Sequence, residues 1–206
     1  MAEEKKAKKA AKKGFYDVEA PMTAVKISLY GGSAEEFEGK VVKLDLTKSL
    51  RGKSIELRMR VASENGVLRA MPISARLTES YIRRAMRKGS DYVEDSFSIE
   101  GMDVSARIKI FLITRMKVSR AVRKALRENA KKYVLDYVKI RHAKEIFSDI
   151  VTNKLQKGLS VKLKKIYPLA LCEIKSFEIT GQRTSEKGGE MTADRNSAKE
   201  VEIVSE

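Results

Sequence analysis

Arg120, Lys124, Arg127 and Lys131 follow one another at steps of three and four residues, with Arg123 and Lys132 beside them. On a helix this spacing makes a cationic ridge, and the chemistry open to such a ridge is neutralisation of a polyanion. Lysine and arginine displace condensed counterions from phosphates, so a phosphate backbone is the expected anion. The same segment, Ser119 to Arg141, places Val122, Leu126, Tyr133 and Tyr137 at helical intervals, which predicts a buried stripe on another side. Ser119 suits the N-cap. Arg120 and Arg123 in the first turn oppose the helix dipole, a cost that a nearby anion offsets. The plain alternative is a solvated basic face.

Side chains capable of covalent or metal chemistry are sparse. His142 is the single histidine and Cys172 the single cysteine. A two-histidine metal site within the chain is therefore impossible, and so is an intramolecular disulfide. Cys172 falls in an alternating apolar stretch, the setting of a small core residue and not of a nucleophile. No G-x-x-x-x-G-K-[ST] phosphate loop and no G-x-G-x-x-G occur. Asp91, Glu94 and Asp95 form the one carboxylate group that a metal-dependent nuclease reading can use. Arg87 and Lys88 lie close to it in sequence, and solvated charge is the better account. The expectation is no enzyme, no metal and no cofactor.

Most elements that must hold the ridge are strands. Thr23–Leu29 alternates before Gly31-Gly32, and Val41 to Leu46 forms a second strand opened by Gly39. Ile55 to Val61 alternates with Glu56, Arg58 and Arg60, a half-buried strand. Asn65-Gly66 then signals a tight hairpin with Val67–Ala75. Thr78–Lys88 reads as a short helix capped by Thr78 and closed by Gly89, with Tyr81, Ile82 and Ala85 inward. Arg83, Arg84, Arg87 and Lys88 project outward as a second basic cluster. Tyr92–Ile99 and Val104–Thr114 make a further hairpin. After the central helix, His142–Lys157 predicts another helix stopped by Gly158, followed by a turn or two over Leu159–Ile166 and a last strand over Leu169–Thr180. Successive hairpins of this kind predict an α+β fold: an antiparallel β-barrel or curled sheet core with flanking helices.

Charge is distributed unevenly. The net charge is +15 over 206 residues. Residues 14–103 balance to zero, whereas 104–165 hold 18 basic and 4 acidic groups. Residues 1–13 add about +4 through Lys5, Lys6, Lys8, Lys9, Lys12 and Lys13, and contain almost no bulky apolar side chain. That composition predicts a disordered basic arm that orders on nucleic acid. Phe15 and Tyr16 follow, suited to stacking on bases or, as we prefer, to anchoring the entering chain on the core. Residues 181–206 predict a disordered, mildly acidic tail. The expected organisation is an arm (1–13), one RNA-binding domain (14–180) and a tail (181–206). The chain shows no apolar run of membrane-span length and no signal-peptide core, so an intracellular, cytoplasmic setting is the default.

Four stretches carry a resemblance. Lys12-Lys13-Gly14-Phe15-Tyr16-Asp17-Val18 with Ala20-Pro21 resembles the N-terminal signature of the small-subunit ribosomal protein "three-a" family of archaea and eukaryotes, also called e-S-one. Gly39-Lys40-Val41, the basic Ser119–Lys132 helix and Ile166-Tyr167-Pro168-Leu169 also match, so the likeness covers roughly residues 12–180. It implies a β-barrel with helices bound to ribosomal RNA on the platform side of the small subunit near the messenger exit. It also implies neighbouring small-subunit proteins as partners, messenger RNA close by, and no cofactor. The chain is shorter than the eukaryotic members and lacks their basic, apolar tail, which points to an archaeal source. The expected RNA contacts are the six arm lysines; Arg83, Arg84 and Arg87; and Arg120, Arg123, Lys124, Arg127, Lys131 and Lys132. A free RNA-binding assembly factor or translational regulator is the alternative.

Overall fold

Apolar–polar alternation gives way to a nearly unbroken apolar run at the end of one interior strand, β7 (Val104–Thr114). Strand β7 ends in Ile108 to Thr114, a run buried on both faces but for Lys109, and it lies inside the sheet. The structure, a computed structural model, describes residues 13–23, 25–50, 52–64 and 67–182. In chain order the elements are β1 (Gly14–Val18), β2 (Ile27–Gly31), a 3-10 turn at Ala34–Phe37, β3 (Val41–Asp45), β4 (Ile55–Glu64) and β5 (Val67–Leu77). Helix α1 (Glu79–Ala85), β6 (Tyr92–Glu100) and β7 (Val104–Thr114) follow. Helices α2 (Arg120–Lys139), α3 (Ala143–Val151) and α4 (Lys154–Leu163) then lead to β8 (Leu169–Gln182). Strands β1 and β2 form a separate hairpin. The other six make one antiparallel sheet in the order β3-β4-β5-β8-β7-β6.

This α+β architecture agrees with the expected class, but the sheet is open and the barrel is not formed. The last strand enters the middle of the sheet, and β3 and β6 remain as its two edges. Pairing of β8 with β7 runs from Thr114↔Leu169 to Val104↔Gln182, whereas β5 meets β8 only from Ser74 to Arg76. The ladder between β4 and β5 slips where Arg58 faces Ser74 and Met59 faces Pro72. A proline has no N–H to give to a ladder, so it collects at such bulges. In β2 the strand is Ile27–Gly31, displaced from the predicted Thr23–Leu29. Gly31 is its last residue, and the Phe37 ring fills the space a Cβ there would need.

Helix α2 shows how a stripe is chosen. Its buried line is Leu126, Ala130, Val134 and Val138, each 0% exposed. Of the predicted stripe, Leu126 is on that line, and Val122, Tyr133 and Tyr137 flank it half-buried. A tyrosine hydroxyl needs a polar partner, which a fully apolar line does not offer. Tyr137 donates to Asp149 Oδ2 at 2.8 Å, and Arg141 Nη1 bonds the same oxygen at 2.5 Å, tying α2 to α3. Burial, then the Asp149 bond, pushes the Tyr137 hydroxyl up to about 12. The predicted His142–Lys157 helix is two helices, broken at Asn153 in the left-handed region (φ 62°). Gly158 lies inside α4 and does not stop it; the Tyr133 hydroxyl occupies the space beside it. Helix α1 ends at Ala85, and Gly89 (φ 88°) turns the chain toward β6.

Charge enters the core beside that Asn153 break. Buried Lys53 gives its ammonium to Glu173 Oε2 at 2.5 Å and to the Asn153 amide oxygen. One contact set thereby joins the segment before β4, the α3–α4 junction and β8. Burial raises the Glu173 carboxyl above the usual range, and Lys53 and Gln156 partly offset it.

Candidate nucleic-acid interface

Helix α2 runs beside the edge strand β6 in the same direction. Its first two turns face Tyr92, Lys131 Nζ lies 5.6 Å from the Phe97 ring, and Val138 packs at Gly101. Where β6 begins, Arg120, Arg123, Lys124 and Arg127 surround a cleft of about 280 Å³ with Tyr92. A second cleft, of about 490 Å³, opens at the same end of the sheet, where β7 finishes and β8 starts. Arg84, Arg87, Lys88 and Arg115 supply its charge, with Ser90 and Thr114 on its wall. Ser90 lines this cleft and Tyr92, two residues on, lines the first.

A small clamp holds the segment Ser90–Tyr92. Asp91 N donates to Thr114 Oγ1 at 3.0 Å, and Thr114 N donates to the Asp91 carbonyl at 2.9 Å. The Asp91 carboxylate accepts from Val118 N at 3.0 Å, and the Thr114 hydroxyl donates to the Met116 carbonyl at 2.7 Å. These bonds hold the β7–α2 connection against the start of β6. Arg84 to Lys88 and Arg120 to Arg127, far apart in sequence, thus line two clefts that meet the Ser90–Tyr92 segment.

Most of these cations have no counter-charge among the described residues. Among the described residues Arg120, Arg123 and Arg127 form no ion pair, and Lys124 has a single exposed contact, to Glu128 at 3.9 Å. The first turn of α2 contains no acidic residue. The Ser119 hydroxyl accepts from Val122 N at 3.4 Å, as the N-cap reading requires. Cations at this positive helix end cost about 0.3–1 kcal/mol each where no anion lies near.

The structure sorts the predicted contact residues. Arg120, Arg123, Lys124 and Arg127 meet at one cleft, and Arg84 and Arg87 at the adjoining one. Lys131 leaves the ridge to cover Phe97, and Lys132 is exposed on α2. Arg83 is exposed but faces Glu79 at 3.6 Å, away from its two neighbours. Lys13 is exposed just before β1, and Lys5, Lys6, Lys8, Lys9 and Lys12 lie outside the described residues. Phe15 and Tyr16 divide their tasks. Tyr16 packs on Phe37 at 5.6 Å as an anchor, while Phe15 stays 77% exposed against Tyr30 at 5.1 Å. Sequence reasoning missed Tyr92 and Arg115. Arg115 had a signal, since it directly follows a strand inside the cationic block; Tyr92 reads as one more strand aromatic.

The groups considered for catalysis have structural partners. Asp91 belongs to the clamp, Glu94 pairs with Lys175 at 2.5 Å, and Asp95 accepts from Ser96 N at 3.0 Å. Among the described residues no three histidine, cysteine or carboxylate side chains converge as metal ligands. Burial pushes the Cys172 thiol up to about 12, so the thiolate a nucleophile needs is not populated near neutral pH. His142 faces Asp103 at 2.5 Å. No helix among the described residues is long and apolar enough to cross a membrane.

An open antiparallel sheet flanked by helices, with unpaired cations gathered at one end, defines a basic α+β scaffold. The model of the ribosomal S3Ae family matches residues 1–182, and the chain belongs to that family. Curated relatives agree. The small ribosomal subunit protein eS1 of Haloarcula marismortui is 24% identical over 213 residues, covering 98% of this chain and 99% of that one. The eS1 protein of Desulfurococcus amylolyticus is 23% identical over 170 residues (79% and 80%), and that of Nanoarchaeum equitans 24% over 144 (61% and 73%).

Proposed function

We propose that this protein is a structural constituent of the small ribosomal subunit and binds ribosomal RNA without catalysing a reaction. The observation that carries the reading is the joining of two cationic clusters around Ser90–Tyr92. Unpaired arginines there answer the phosphate backbone of folded RNA, releasing counterions as they bind. Family membership and the names of the archaeal relatives support the ribosome as its setting. Residues 14–180 act as the binding domain, and the lysines of 1–13 extend the contact as a basic arm. The site is the platform side near the messenger exit, with small-subunit proteins and messenger RNA as neighbours, in the cytoplasm.

Crosslinking of purified small subunits tests this reading. Crosslinked peptides from 84–88, 115 and 120–127, retained on the particle through a high-salt wash, are the expected result. Loss of the protein in that wash, with no RNA adducts in those segments, would instead indicate a factor acting off the ribosome.

A further inference from the structure

We infer that the cleft between Tyr92 and the first two turns of α2 seats one unpaired nucleotide, its base on the Tyr92 ring and its phosphates on the arginines. The inference rests on the RNA-binding reading and adds what kind of RNA element this cleft takes. Tyr92 is 58% exposed although it lines a concave wall. Its ring is 6.2 Å from that of Phe111, which is 2% exposed. The buried ring supports Tyr92 from the core side and keeps it from folding inward. An aromatic left open to solvent between arginines is a stacking platform with charge at its rim, the combination that grips single-stranded nucleic acid.

Size and contrast sharpen the assignment. About 280 Å³ falls just below the usual range of ligand cavities, about 300–1,000 Å³, and gives room for one base. The neighbouring cleft has the same cationic character but no aromatic residue in its lining. It suits phosphates alone and continues the track of a strand whose base is held next door. Bases of a duplex are stacked on each other and offer no free face to a tyrosine, whereas bulged or looped bases do.

The test uses the full chain and three 12-nucleotide probes: a single-stranded RNA, the same strand lacking its bases, and an RNA duplex. Wild type should bind the intact strand about 10-fold more tightly than the baseless one, within the range of about 5- to 150-fold expected of one stacked base. Tyr92→Ala should lose that factor on the intact strand only. Tyr92→Phe should retain it, because a phenyl ring stacks as well. The base-dependent factor in wild type is measured without any substitution, so a folding defect in a variant leaves the test intact. Equal losses on all three probes, or a Phe variant as weak as the Ala variant, would overturn the stacking site while leaving phosphate binding in place. No binding of wild type to any of the three probes would overturn the RNA reading itself.

Discussion

Two regions of this molecule use the same residue types in opposite ways. Between α2 and α3, at the α3–α4 junction and along β8, cations are matched to carboxylates: Arg141 to Asp149, Lys53 to Glu173, Lys175 to Glu94, and Arg76 to Glu178. At the start of β6 and of α2, Arg120, Arg123 and Arg127 have no acidic partner among the described residues. Matched charges make contacts within the fold, and unmatched ones are available to something outside it. Basic residues are thus separable by partner as well as by exposure.

The comparison predicts unequal costs of substitution. Lys53→Met leaves Glu173 buried without its counter-charge and should lose about 3–5 kcal/mol in denaturant unfolding. Burial already holds the Glu173 carboxyl high, and removing Lys53 raises it further. The deficit against wild type is therefore smallest at low pH, below the unfolded carboxyl's pKa, and grows as pH rises through the folded value. A deficit that grows toward low pH would contradict the network. Leu126→Ala, on the buried line of α2, should cost about 2–5 kcal/mol. A loss below about 0.5 kcal/mol, the size of a surface effect, would mean that this helix face is misassigned.

Smaller effects mark the unmatched region. Arg120→Gln and Arg123→Gln should leave thermal stability equal or slightly higher, since each removes a cation opposing the helix dipole. A clear loss from either would reveal a structural contact and narrow the difference between the two regions. Smallest is the His142–Asp103 pair. The Asp103 bond holds the imidazole above its ordinary 6.5. Its contribution to folding is complete below that value and is lost as pH rises through the raised one. As the single histidine, His142 can be titrated directly by NMR, and Asp103→Asn should return the midpoint toward 6.5. A wild-type midpoint at or below 6.5 would show that the pair does not form in solution.

Local pattern made much of this fold legible. The β6–β7 hairpin falls where alternation from Tyr92 and Val104 places it, and the last strand starts at Leu169 as read. What stayed hidden depends on distant partners. Alternation shows that β8 is a strand, but its place between β5 and β7 is decided by which edges remain free, so the barrel expectation failed. The α3–α4 break rests on Asn153 in a left-handed conformation beside Lys53, a contact across 100 positions that helical spacing cannot register. The cationic ridge was legible on α2. Its union with Arg84 and Arg87 was not, because it depends on Asp91 bonding to Thr114 and Val118, and Asp91 reads from its neighbours as solvated charge.

The claim that the unmatched cations are a phosphate-binding surface is tested most directly by the salt dependence of RNA affinity. For about six phosphate contacts with a single strand, log affinity against log salt should have a slope of about −4 to −5. Changing Arg120, Arg123, Lys124 and Arg127 together to Gln keeps good helix formers in α2. That variant should remain folded and lose about three units of slope if each side chain meets its own phosphate. A folded variant with an unchanged slope would contradict the account and leave the binding to the lysines of 1–13 or to the Arg84–Lys88 cleft.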